Sequence, residues 1–175
     1  LAREELLASS VESLRKAGYR SNRSAPSGTG MLEFTSGLFQ NLVEKSNGAG
    51  ALLVHHSYAV NTSDAVPSSS RELLARASYF PASLLRQAQL DHIPYWGSYA
   101  SGCTGFMSLL TLASTILRAR AMENVVCLTA DLKPPDTTFD SVRERLLTSD
   151  AASGFVASRQ PVGSTVLGVG QSSSS

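Results

Sequence analysis

The stretch from Gly102 to Arg120 limits the architecture more than any other part of the chain. It reads GCTGFMSLLTLASTILRAR, carries no charge before Arg118, and places Phe106, Met107, Leu109, Leu110, Leu112, Ala113, Ile116 and Leu117 in one segment. That pattern predicts a helix apolar on most of its faces, which belongs at the buried centre of a domain. Two short continuous apolar runs, Ala49 to His56 (AGALLVHH) and Asn124 to Ala130 (NVVCLTA), have the signature of parallel strands covered on both sides. Pro94 to Ala100 reads as a further strand leading straight into the apolar helix.

Around these elements the chain alternates in the manner of an α/β domain. Leu6, Leu7, Val11 and Leu14 recur at helical spacing, so Leu1 to Gly18 is expected as an amphipathic helix stopped by Gly18. Tyr19 to Gly30 is a loop, and a helix is expected from Thr35 to Lys45. Asn61 to Pro67 is a loop, Pro67 opens a helix through Ser68 to Ala77, and Ala82 to Ala88 is another helical piece. Asp131 to Thr148 is a polar excursion with a short helix. Ala151 to Ser158 and Thr165 to Gly170 are two strands joined around Gln160 to Gly163. The expected fold is a mixed, mostly parallel sheet of five strands with helices layered on it.

Composition narrows the function. A net charge of +1, with no basic stripe interleaved with aromatics, argues against nucleic acid as the main partner. No run of about 18 apolar residues marks a membrane span, and LAREELLASS lacks the apolar core of a signal peptide. The two cysteines, Cys103 and Cys127, fit neither a disulfide framework nor a zinc-ligand spacing, so a reducing, cytoplasmic setting is the default. Only 17% of the 175 residues are charged, which suits a chain that covers part of its surface with another chain. The start at Leu1 and the end in Gln171 and four serines suggest cuts through something longer, with 171–175 a flexible tail after a unit spanning 1–170.

The sharpest chemical feature is Tyr99-Ala100-Ser101-Gly102-Cys103-Thr104-Gly105-Phe106. A strand ends, small residues allow a tight turn, and Cys103 falls in the first turn of the apolar helix. The unpaired N–H groups and partial positive charge there favour thiolate over thiol. The same N–H groups can donate to the oxyanion formed when sulfur attacks a thioester carbonyl. Gly102 and Gly105 keep side chains off the approach, and acyl transfer is split into loading and release. The competing reading of a lone cysteine on an apolar helix is a small core residue. Cys127, inside Val125-Val126-Cys127-Leu128, is expected to be one.

The order and spacing of several segments are similar to the ketoacyl synthase III branch of the thiolase superfamily. They are Leu52-Leu53-Val54-His55-His56-Ser57, Val66-Pro67-Ser68, Ser101-Gly102-Cys103-Thr104-Gly105-Phe106, Val125 to Asp131, and Leu147 to Val156 with Ser149-Asp150-Ala151-Ala152 as its turn. Before Ala49 the match is weaker, resting on Leu6 to Arg23. The resemblance implies the N-terminal half of a thiolase-like fold, lacking its usual first strand, with the buried central helix carrying Cys103. It implies an acyltransferase that loads an acyl group from coenzyme A or the phosphopantetheine of an acyl carrier protein onto Cys103. The group then passes to a carbon or heteroatom acceptor, in fatty acid or polyketide synthesis. Thr104, Gly105, Phe106, Gly102 and His56 are the candidate substrate-binding residues, and no metal or permanently bound cofactor is expected.

The family's His and Asn lie in its second half, so a second chain or fragment carrying that half is expected, as a dimer of such pairs. The alternatives are a split or cleaved synthase, a paired subunit, or a non-catalytic relative that stabilises an active paralogue. A cysteine hydrolase of another α/β fold is a further rival, weakened by the lack of a local His/Asp partner. His55 and His56 point to opposite faces of a strand, so one of them can approach a substrate near Cys103, while a hydrogen-bonded pair at a strand end is the plainer reading. His92 beside Asp91 reads as a loop residue. Asp150 is expected in a structural turn, Asp131, Asp136 and Asp140 in a solvated loop, and Arg71, Arg76 and Arg86 on a charged helix face.

Overall fold

The structure, a computed structural model, describes residues 10–46, 48–57, 79–99, 104–133, 140–141, 146–160 and 163–164. Cys103, Gly102, the segment 58–78 and the strand expected at 165–170 lie outside the described residues. The described elements are α1 (Val11–Lys16), α2 (Met31–Lys45), β1 (Leu52–His56), α3 (Phe80–Gln87), β2 (Tyr95–Tyr99), α4 (Gly105–Arg118) and β3 (Asn124–Asp131). The short strands β4 (Asp140–Ser141) and β5 (Leu146–Leu147) and the long β6 (Ala151–Ser158) follow. Four strands form one sheet in the order β2-β1-β3-β6. β1 pairs in parallel with both β2 and β3, and β6 runs antiparallel to β3. This is the mixed, mostly parallel sheet of an α/β domain.

Period-two alternation divides the sheet's side chains between two cores. Leu52 and Val54 of β1 and Val126, Leu128 and Ala130 of β3 face α2 and α3, where Phe39, Leu42, Phe80, Leu84 and Leu85 close over them. Ala51, Leu53, Val125 and Cys127 face the other way and meet Leu109 and Ala113 of α4. The central strands are therefore covered on both sides, which explains their continuous apolar runs.

One expectation needs correction. The helix carrying the apolar run is not buried on most of its faces: only Gly105, Leu109 and Ala113 are buried, at the helical spacing of one stripe. Phe106, Met107 and Leu112 are exposed, at 46%, 48% and 39%. A single sheet covers one side of a helix, and among the described residues no second layer lies over the other side. The segment 131–148, where a short helix is expected, lies largely outside the described residues; within it Asp140–Ser141 and Leu146–Leu147 pair as β4 and β5. The remaining helices and strands that fall on described residues lie where the pattern places them, with α2 starting earlier, at Met31.

Polar side chains pin the loops to this frame. Asn124 donates through Nδ2 to the carbonyls of Ser46 (3.0 Å) and Gly48 (2.7 Å) and accepts from Gly50 N–H (2.6 Å), fixing the turn from α2 into β1. Gly48 turns there at φ +100°, a conformation that favours glycine. Asp150 accepts from Ala25 N–H (2.7 Å) and Lys133 N–H (2.6 Å), while its own N–H donates to the Arg23 carbonyl. Ser149 Oγ accepts from Arg23 N–H. Asp150 is thus a structural carboxylate that ties the 19–30 loop to the exit of β3. Replacing Asp150 with Ala should leave two N–H donors unmatched and lower stability by about 2–4 kcal/mol, read as a shifted urea midpoint. Asp150→Asn, which keeps one acceptor oxygen, should lose less.

Candidate functional site

Parallel strands deliver their C-terminal ends to one side of the sheet, and ligands of open α/β folds bind there, where neighbouring connections leave in opposite directions. In this chain that place lies between β1 and β3. The chain leaving β1 goes to β2 on one side, whereas the chain leaving β3 goes to β6 on the other. The first turn of α4 comes to the same end of the sheet.

His55 and Gly105 meet at this point. His55 is 2% exposed, on the α4 side of β1. Its imidazole, along the Cδ2–Nε2 edge, occupies the space that a side chain on Gly105 would need. Gly105 is thus small because a histidine ring is packed against its backbone. The His55 Nδ1 lies 3.4 Å from Ser98 Oγ on β2, its register partner. Among the described residues His55 Nε2 is buried without a hydrogen-bond partner.

The residues around this contact have distinct jobs. Thr104 is the N-cap of α4 and exposed, and its carbonyl accepts from Ser108 Oγ. Phe106 turns outward and sets its ring 4.9 Å from that of Phe155 on β6. Asp131 closes β3 and is not a solvated loop residue: it accepts from Ser57 N–H (2.5 Å) and Ser57 Oγ (2.8 Å), joining the ends of β1 and β3. His56 points to the opposite face from α4, fully buried among the rings of Tyr79, Phe80 and Tyr99. Of the adjacent histidines, His55 is the one beside the helix start that carries Cys103 two residues upstream. His92 and Asp91 are exposed in the loop before β2.

The second cysteine lies on the same face as His55 but deeper in the core. Burial pushes the Cys127 thiol up to about 12, and it is fully buried beside Leu109 and Ala113. A buried thiol of that kind is inert as a nucleophile. On the other face Tyr79 is pushed up to about 12, first by burial and then by Tyr95, and Gly97 leaves room for its hydroxyl.

Neither a protein-family model nor a curated protein matches the sequence. Solved structures do. The β-ketoacyl-[acyl carrier protein] synthase III of Thermus thermophilus superposes with a TM-score of 0.67 at 18% identity, over 91% of this chain and 46% of the other. The 3-oxoacyl-[acyl-carrier-protein] synthase III of Aquifex aeolicus gives 0.67 at 15%, over 90% and 48%. The priming β-ketosynthase of the R1128 polyketide pathway gives 0.59 at 15%, over 87% and 42%. The chain has the thiolase-like fold of these condensing enzymes. It spans just under half the length of each, as expected of one of the two halves of that fold. At these identities the likeness concerns the fold.

Two outcomes follow from this packing. Gly105→Ala forces its new methyl group into the His55 ring and should cost about 1–3 kcal/mol in stability, measured by denaturant titration. Cys127 binds its proton more tightly folded (about 12) than at its ordinary value of 9.0. Its stabilising contribution is therefore complete below pH 9 and is lost as pH rises toward 12. Cys127→Ala should flatten the fall in urea midpoint over that alkaline window.

Proposed function

We propose that the chain is the cysteine-bearing half of an acyltransferase of the ketoacyl synthase III type, with Cys103 as the acyl-carrying nucleophile. The observation that carries this is the seating of the α4 start on the C-terminal end of β1, in a sheet with the condensing-enzyme fold. In the sequence Cys103 stands two residues before Gly105, the first residue of a 14-residue helix. The positive end of the helix dipole and the free N–H groups of its first turn favour a thiolate and then an oxyanion.

In the loading step the Cys103 sulfur attacks the carbonyl carbon of an acyl thioester of coenzyme A or of a carrier-protein phosphopantetheine. A new C–S bond forms, the tetrahedral oxyanion collapses, and the original thiol departs with a proton. The acyl group then passes to a carbanion of the malonyl type, or to a hydroxyl or amine acceptor. No permanently bound cofactor or metal takes part, and a reducing compartment such as the cytoplasm keeps the thiol free. Fatty acid or polyketide synthesis is the setting that the synthase III-like fold suggests.

Turnover belongs to an assembly. The outward face of α4 leaves Phe106, Met107 and Leu112 exposed, an apolar surface of the kind that a second layer covers. A second chain or fragment with the C-terminal thiolase half would lie over it and supply the His/Asn pair. The outer edge of β2, with Tyr95, Trp96 and Tyr99 exposed, suits association of two such pairs. A non-catalytic subunit that stabilises an active paralogue is the rival.

The test is copurification followed by turnover. The chain is isolated from its host with whatever polypeptide accompanies it, and free thiol released from acyl-coenzyme A is followed with and without malonyl thioester. The expected result is a partner carrying a thiolase-like half, and turnover that falls at least about 1,000-fold in Cys103→Ala. An assembly whose turnover is unchanged by Cys103→Ala would make this chain the non-catalytic subunit.

A further inference from the structure

Among the described residues, the exposed large apolar side chains lie in two places: Tyr95, Trp96 and Tyr99 on β2, and Phe106, Met107 and Leu112 on α4. The α4 surface has two further properties. No residue from Thr104 to Leu117 is charged, so an exposed helix of more than three turns offers water no ion. Its hydroxyls are also satisfied within the helix. Thr111 Oγ1 donates to the Met107 carbonyl (2.9 Å), Thr115 Oγ1 to the Thr111 carbonyl (2.9 Å) and Ser108 Oγ to the Thr104 carbonyl (3.3 Å). Side chains bonded back in this way can be covered without leaving a polar atom unmatched. A helix face meant for water carries charge; this one is suited to contact.

The shape of the face says what it fits. With Gly105, Leu109 and Ala113 turned to the sheet, the 3.6-residue period sets Met107, Thr111, Ser114 and Arg118 along the opposite line, with Thr115 beside it. That line is large at its N-terminal turn and small in the turns that follow. A second α4 running the other way brings the large end of each helix onto the small turns of the other, with Thr111 against Thr111. A parallel pairing would instead set Met107 on Met107 and leave the small turns apart. Charge agrees with self-pairing. A two-fold contact places a patch against its own copy, so a charged face would meet like charge, and this face has none. Antiparallel packing also sets opposite ends of the two helix dipoles side by side. Arg118 falls at the end of the contact, where its stem can lie along the partner and its guanidinium in water.

We propose that the chain pairs with a second copy of itself through α4, the two helices antiparallel across Thr111, with Met107 of each copy seated on Ser114 and Thr115 of the other. The contact uses the face that the proposed C-terminal half would cover. Self-pairing is therefore the state of the chain without that half, and the two exclude each other. It does not depend on Cys103. A 14-residue helix is about 21 Å long, and one helix pair falls short of the roughly 800 Å² per partner of a standard interface. The dimer is accordingly weak and dissociates on dilution.

Sedimentation velocity on the full chain, from about 1 to about 100 micromolar, should show monomer giving way to dimer. Thr111→Glu sets two carboxylates against each other at the two-fold axis. It should raise the dissociation constant at least about 100-fold, with an unchanged circular dichroism spectrum. Tyr95→Glu on β2 and Cys103→Ala should both dimerise as the wild type does. Oxidative cross-linking in a Cys103→Ser background reads the register. Thr111→Cys should cross-link to its own copy and Thr115→Cys alone should not, whereas Thr115→Cys mixed with Met107→Cys should.

A wild-type chain that stays monomeric at about 100 micromolar overturns the proposal. So does a dimer that survives Thr111→Glu or fails to cross-link through Thr111→Cys. A dimer lost in Tyr95→Glu and untouched by Thr111→Glu moves self-association to the β2 edge and overturns it as well. If Thr111→Glu does not fold, the Thr111→Cys cross-link decides alone. Because Cys103→Ala leaves the helix face intact, failure of the acyl-transfer reading and failure of self-pairing are separate results.

Discussion

The fit of α4 onto β1 organises this half-domain. A helix can approach a sheet closely only where its inward stripe is small, and here the stripe is Gly105, Leu109 and Ala113. Leu109 and Ala113 pack on Ala51, Leu53, Val125 and Cys127, and Gly105 takes the ring of His55. This contact fixes the height and direction at which the helix begins. Which face of the helix is left exposed follows from it.

The same geometry explains why one chain carries both a well-packed side and an open one. On the α2/α3 side the sheet is sealed by Phe39, Leu42, Phe80, Leu84 and Leu85. On the α4 side, one helix covers the central strands and then presents Phe106, Met107 and Leu112 outward. Phe106 is partly accommodated against Phe155, but Met107 and Leu112 remain exposed.

Much of this was legible in the sequence. The apolar runs at Ala49 to His56 and Asn124 to Ala130 fall on the two strands covered on both faces, because continuous burial leaves a continuous pattern. The turn role of Asp150 was also legible, through the resemblance to a family whose matching segment has an Asp in a structural turn, and its carboxylate does hold the Ala25 and Lys133 N–H groups. The excess of apolar residues on α4 was read as burial, when in this chain it marks an uncovered surface. Hydrophobicity records what a helix is built to touch, and the sequence does not say whether that neighbour is part of the same chain. The pairing of His55 with Gly105 was hidden for a different reason. Alternation along β1 shows that the two histidines diverge, but which of them meets α4 depends on strand register and helix placement, fifty residues apart in the chain.

The central claim is that an acyl group becomes bonded to Cys103, and peptide mapping tests it most directly. Trypsin releases the segment from Gln87 to Arg118 as one peptide in which Cys103 is the sole cysteine. After brief exposure of the assembly to acyl-coenzyme A and an acid quench, that peptide should gain the mass of one acyl group and lose it to neutral hydroxylamine, as a thioester does. An unmodified Gln87 to Arg118 peptide from an assembly that is turning over substrate would contradict the account.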